Sequence, residues 1–142
     1  MAFVDDGHPT RVTFSASSSA ALLFYEREVT PPGVSAGGEN DTTTMRNTQW
    51  RTKAPKQLFS LTPMTEVAKY DPAIYDEMVS MIGVNQQVTI TFPDESTLVF
   101  WGWVDEFTPN ALTEGTMGTA NVTIIPSNQN ASQEETAPVY TA

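Results

Sequence analysis

The chain has 142 residues, no cysteine, one histidine, and 7 basic against 17 acidic residues, a net charge of −10. That length fits one domain, burying on the order of 70% of its unfolded surface, and 39% hydrophobic residues exclude a disordered chain. The charge argues against nucleic-acid affinity, which needs clustered cations, but leaves open an acidic surface past which nucleic acid slides. Without cysteine there is no disulfide or thiolate chemistry.

Residues 1–6 show neither the basic nor the apolar region of a signal peptide. No apolar run approaches the roughly 20 residues that span a membrane. Residues 1–9 read as an irregular, acidic start, and His8 there as a solvated side chain. Residues 10–16 alternate, with Val12 and Phe14 on one face and Arg11 and Thr13 on the other, which predicts a half-buried strand. Ser17–Ser19 mark a turn. A second strand is expected over 20–30, with Leu22, Phe24, Glu26 and Glu28 on one face. Pro31 and Pro32 end it, because proline cannot donate to a ladder.

The connection over residues 31–55 is long and poor in apolar side chains. Loops of that length in a small domain are functional or disordered. Residues 41–56 hold four basic and one acidic residue, net +3, while the rest of the chain is net −13. A basic, threonine-rich segment carrying Met45 and Trp50 thus sits on an acidic chain. That asymmetry suits head-to-tail contact between copies, with the partner ordering the segment.

A strand with an irregularity at Pro63 is expected over 57–70, with Met64, Glu66 and Ala68 sharing a face. Asp71 and Pro72 then signal a helix start. The helix is expected over 72–82, with Ile74, Met78 and Ile82 as its apolar stripe and Gly83 closing it. Residues 86–92 alternate, with Val88, Ile90 and Phe92 inward and Thr89 and Thr91 outward. Residues 93–96 form a turn, and 97–107 return as the hairpin partner. That strand is apolar on both faces: Leu98, Phe100 and Val104 against Val99, Trp101, Trp103 and Phe107. Burial on both faces follows, with a partner covering Trp101 or Trp103. A last strand is expected over 119–126. The polar tail 127–142 reads as ordered by assembly, anchored by Val139 and Tyr140; folding back on its own domain is the alternative. The fold class is mostly β, a small sandwich or barrel with one flanking helix.

Catalysis finds little support. One histidine and no cysteine leave no nucleophilic triad. The adjacent acidic pairs, such as Asp76–Glu77 and Asp105–Glu106, do not face each other across a cleft as a glycosidase requires. Metal-ligand spacings are absent. No enzyme activity, cofactor or metal is expected.

Three landmarks together resemble the major tail tube proteins of long-tailed bacteriophages. They are the segment 31–52 with its Asp-Thr-Thr-Thr-Met-Arg-Asn-Thr-Gln-Trp-Arg-Thr run, the Tyr70-Asp71-Pro72-Ala73-Ile74-Tyr75 helix start, and the hairpin 88–102 followed by 119–126. The resemblance covers residues 10–128 and leaves 129–142 as a separate C-terminal arm. It implies hexameric rings around a channel, with 31–55 as the loop that stacks one ring on the next. The tubes of contractile tails and type VI secretion share the fold. Implied partners are copies of the chain, a tape measure protein and DNA in the lumen, and terminator and baseplate proteins at the ends. The implied location is the phage tail, assembled in the bacterial cytoplasm, without membrane insertion. Inter-ring contacts are expected at Asp41, Met45, Arg46, Trp50, Arg51 and Lys53. The expected lumen residues are Glu26, Glu28, Glu66, Thr89, Thr91, Asp94 and Glu95. Trp101, Trp103 and Tyr140 are expected between subunits. The competing reading is a monomeric carbohydrate- or receptor-binding module that uses Trp101 and Trp103.

Overall fold

Period-two alternation builds the sheet of this chain. The computed structural model describes residues 10–15 and 25–142; His8, the turn at 17–19 and the first part of the 20–30 strand lie outside them. The strands are β1 (Arg11–Phe14), β2 (Glu26–Thr30), β3 (Val34–Ser35), β4 (Glu39–Asp41), β5 (Lys53–Pro55), β6 (Ser60–Leu61), β7 (Met64–Lys69), β8 (Gln86–Thr91), β9 (Thr97–Pro109), β10 (Thr119–Pro126) and β11 (Val139–Thr141). One helix, α1 (Tyr75–Met81), follows a 3-10 turn at Pro72–Ile74. The fold is mostly β, as expected. The chain divides into two compact units: Met1–Pro31 with Pro63–Ala142, and Pro32–Thr62.

The first unit is a seven-stranded antiparallel sheet in the order β1-β8-β9-β10-β7-β2, with β11 added on β9. Strand β9 is its spine. Residues 97–102 pair with β8, residues 102–109 with β10, and residues 97–99 with β11. Val12 and Phe14, Val88 and Ile90, Phe100 and Val104, Val122 and Ile124, and Met64 and Ala68 are all buried. Burying large apolar side chains contributes about 1.5–3 kcal/mol each. The two ends of the strand order come together, because the Val12 amide of β1 donates to Glu26 Oε1 of β2 at 2.8 Å. The sheet therefore curls around one core until its edges meet.

Two bulges interrupt the alternation. The β9–β10 register shifts between Thr123 and Ile124, so that Glu106 opposes Thr123 while Val104 opposes Ile124. Asp105 is the extra residue. Phe107 consequently opposes buried Val122 and takes its face, not that of Trp101 and Trp103 as alternation predicts. There it meets the rings of Tyr70 and Tyr75, each 6.2 Å away between centroids. A second shift, between Glu26 and Glu28, separates those two side chains: Glu26 is half-buried and Glu28 exposed.

The helix starts as the sequence predicts. Asp71 Oδ1 accepts the Ala73 amide at 3.0 Å, and Pro72 occupies the first helical position. Its end differs. Ile82 is already extended, bridges to Val104 and is exposed, so the buried stripe is Ile74, Met78 and Met81. Gly83, at φ +77°, lets the chain turn into β8 while its amide donates to the Val104 carbonyl at 3.0 Å. Gly102 has a packing reason as well. A Cβ there would lie 2.6 Å from the Ile125 carbonyl oxygen, so only glycine permits this approach of β9 to β10.

Two further expectations are corrected. The 57–70 strand breaks at Pro63: β6 belongs to the Pro32–Thr62 unit and β7 to the sheet. The tail does not need a neighbour for its order. It folds back, and β11 pairs Val139, Tyr140 and Thr141 with Val99, Leu98 and Thr97 of its own chain.

Candidate assembly surfaces

The segment expected to be a partner-ordered loop is a self-braced hairpin. Strand β3 pairs with β6 and β4 with β5, and Gly37 and Gly38, at φ +81° and +101°, make the kink between β3 and β4. The threonines hold its tip. The amide of Thr43 donates to Asp41 Oδ1, and that of Thr52 donates to Thr43 Oγ1. Asn47 Oδ1 accepts the Thr44 amide while Asn47 Nδ2 donates to the Trp50 carbonyl at 2.8 Å. Polar side chains here replace the ladder, which is why the segment looks irregular to periodicity.

All six expected inter-ring residues lie on this hairpin. Arg51 pairs with Asp41 at 3.6 Å and Lys53 with Glu39 at 3.0 Å. Bonds from the Thr43 hydroxyl and amide hold the Asp41 carboxyl below its ordinary range. These pairs are exposed and brace the hairpin only weakly. Among the described residues, Arg46 and Lys56 enter no ion pair. Met45 is fully exposed and Trp50 80% exposed, with Leu58 and Phe59 also exposed on this unit. No residue of 32–62 is buried. The hairpin therefore displays aromatic and apolar side chains without using them for its own packing.

The expected lumen residues separate into three groups. Thr89 and Thr91 fall on a continuous row. Arg11, Thr91, Thr97 and Thr141 align across β1, β8, β9 and β11, and Thr13, Thr89, Val99 and Val139 align beside them. This small, hydroxyl-rich face joins residues from 11 to 141, too far apart in sequence for local pattern to show it. Asp94 and Glu95 lie in the β8–β9 turn. Asp94 accepts the Ser96 amide and hydroxyl, which hold its carboxyl below the ordinary range, and Glu95 sits at φ +68°.

Glu26 and Glu66 form the third group, and Glu66 is a correction. Its side chain is 2% exposed, between Met64 and Ala68 on the inward face of β7. It cannot line a solvent channel. Its carboxyl oxygens have no hydrogen-bond partner. Burial first, then the charge of Glu26, push its pKa well up. Burial also raises Glu26, partly offset by the Val12 amide and Arg11.

Trp101 and Trp103 are half-buried on the outward face of β9, already partly covered within the single chain. The Trp101 carbonyl accepts the Ser127 amide at 2.8 Å. Tyr140 is 61% exposed although it opposes Leu98. Among the described residues, no group of three or more His, Cys, Asp or Glu side chains is placed to hold a metal, and no helix is long and apolar enough to cross a membrane.

Neither a protein-family model nor a curated protein matches this chain. Among solved structures it is similar to a chain from the virion of a native gene transfer agent particle. The TM-score is 0.56 at 16% identity, over 83% of this chain and 85% of that one. The two share a fold.

Proposed function

We propose that this protein is a structural virion subunit, the major tail tube protein of a phage-like particle, built as stacked, hexameric rings. The observation that carries this reading is the hairpin 32–62, a braced unit that leaves Met45, Arg46 and Trp50 bare on a chain of net charge −10. Aromatic and Arg side chains held rigidly in the open are what dominate protein contacts. The fold shared with a virion chain supports the same reading.

In the proposed assembly, the hairpin of one ring docks on the acidic surface of the next. The threonine face of β1, β8, β9 and β11 lines the channel, with Asp94 and Glu95 at its rim. The hydroxyls carry no charge, Arg11 stands at the β1 end of the face, and the acidic rim repels phosphate, so the genome slides. Tape measure protein and DNA would occupy the lumen, and terminator and baseplate proteins the ends, of a tail assembled in the bacterial cytoplasm. Negative-stain images of the purified chain test this: tubes or stacked rings are expected, and a monodisperse 15.5 kDa monomer at high concentration overturns it. Combining Trp50→Ala with Arg46→Glu should abolish stacking and leave the subunit folded by circular dichroism. Normal tubes from that variant would remove the hairpin from the mechanism.

A further inference from the structure

The sheet closes on itself at an unusual place. Strands β1 and β2 are the two ends of the strand order. Among the described residues, the Glu26 carboxylate reaches across from β2 to the amide of Val12 in β1 at 2.8 Å. Glu26 opposes Ala68 across the β2–β7 ladder. Two residues along β7 from Ala68, on the same inward face, is Glu66, which opposes Val29 of β2 and Val122 of β10. A second carboxyl thus lies buried on β7, the neighbour of β2, with neither oxygen hydrogen-bonded among the described residues.

We propose that Glu26 and Glu66 act as a proton-operated clasp: a proton kept on buried Glu66 leaves Glu26 free to hold the β1–β2 seam shut, and its loss sets two like charges there and opens the seam. The physical argument is one of accommodation. A neutral carboxyl without partners is tolerable among Met64, Ala68 and Val122, whereas an ionised one is not. Glu26 remains the charged member because it accepts the Val12 amide and has Arg11 nearby. Among the described residues, no other acidic side chain is buried. Lys69 of β7 lies on the opposite, exposed face, with its ammonium 5.9 Å from the Tyr25 ring. The side chains flanking Glu66 on β10 are Ala120, Val122 and Ile124. Among the described residues, the other buried polar side chains are Gln86 and Ser96, neither ionisable.

The sign follows from linkage. The closed state holds Glu66's proton more tightly than the open state does, so closure is favoured at acid pH. It weakens as pH rises from the ordinary carboxylate value, about 4.3, through the raised value of the closed state. Across that window the open fraction grows by up to about tenfold per pH unit. Opening exposes the Val12 amide at the edge of β1, a backbone group able to pair with another chain.

Hydrogen exchange on the full-length chain tests this. The protection factor of the Val12 amide, corrected for intrinsic exchange, should fall across the window by up to about tenfold per pH unit. In Glu66→Gln the same profile should lose most of its slope, keeping only what Glu26 contributes. In Glu26→Gln, which keeps an acceptor for Val12 but removes the charge, the Glu66 titration should move down. The wild-type side-chain carboxyl carbon resonance of Glu66 supplies a measurement that needs no variant. Titration of Glu66 at the ordinary carboxylate value overturns the proposal, as do parallel exchange profiles in wild type and Glu66→Gln.

Discussion

The sheet unit and the hairpin unit solve the same problem in opposite ways. The sheet holds its shape by burial, with side chains such as Phe100, Met64 and Ile90 withdrawn from water. The hairpin buries nothing and holds its shape with side-chain hydrogen bonds and two exposed ion pairs. A two-stranded hairpin in water is marginal at best. Its tip is held by side-chain hydrogen bonds while Met45 and Trp50 stay bare, and in the assembly proposed above the missing burial arrives with another copy. The carboxylates show the same contrast. Asp41 is exposed, satisfied and held below its ordinary range, while Glu66 is buried, unsatisfied and pushed above it.

Substitutions can break this comparison at either end. The largest effect is expected at Phe100. Truncation to alanine in a closed core costs about 3–5 kcal/mol, read as a lower denaturant midpoint for the sheet. Next is Gly102→Ala, where a methyl meets the Ile125 carbonyl and the β9–β10 pairing must shift, at about 1–3 kcal/mol. The smallest global effect belongs to Asn47→Ala, which releases both Thr44 and Trp50 at the hairpin tip. Global stability should stay within about 0.5 kcal/mol, while the Thr44 amide loses protection against exchange. If Asn47→Ala lowers the melting of the sheet as much as Gly102→Ala does, the two units are not separately held.

Much of the sheet is legible in the sequence because its signals are local. The alternation in β8 and β10, the turn at Asp94 and the helix start at Asp71 each depend on a few neighbouring residues. The failures share a cause too. The bulge at Asp105 and the shift after Glu26 each insert one residue, and one residue moves every later side chain to the other face. The hairpin hid because Thr43, Asn47 and Thr52 bond through side chains, which leave no period. Strand β11 hid because its three residues bury nothing. Glu66 is the instructive case. Its place beside Met64 and Ala68 follows from alternation, and only the habit of putting carboxylates in water argued for a channel.

Strand β11 has a consequence for solubility. The edge of β9 at Leu98–Val99–Phe100 combines β-branched and aromatic residues without a charge, the composition that templates runaway strand addition. The three residues of β11 occupy that edge through backbone pairing at 97–99 and, being so few, present only a short edge in its place. Backbone pairing by β11 thus covers a stretch of β9 that would otherwise be open to strand addition by another chain.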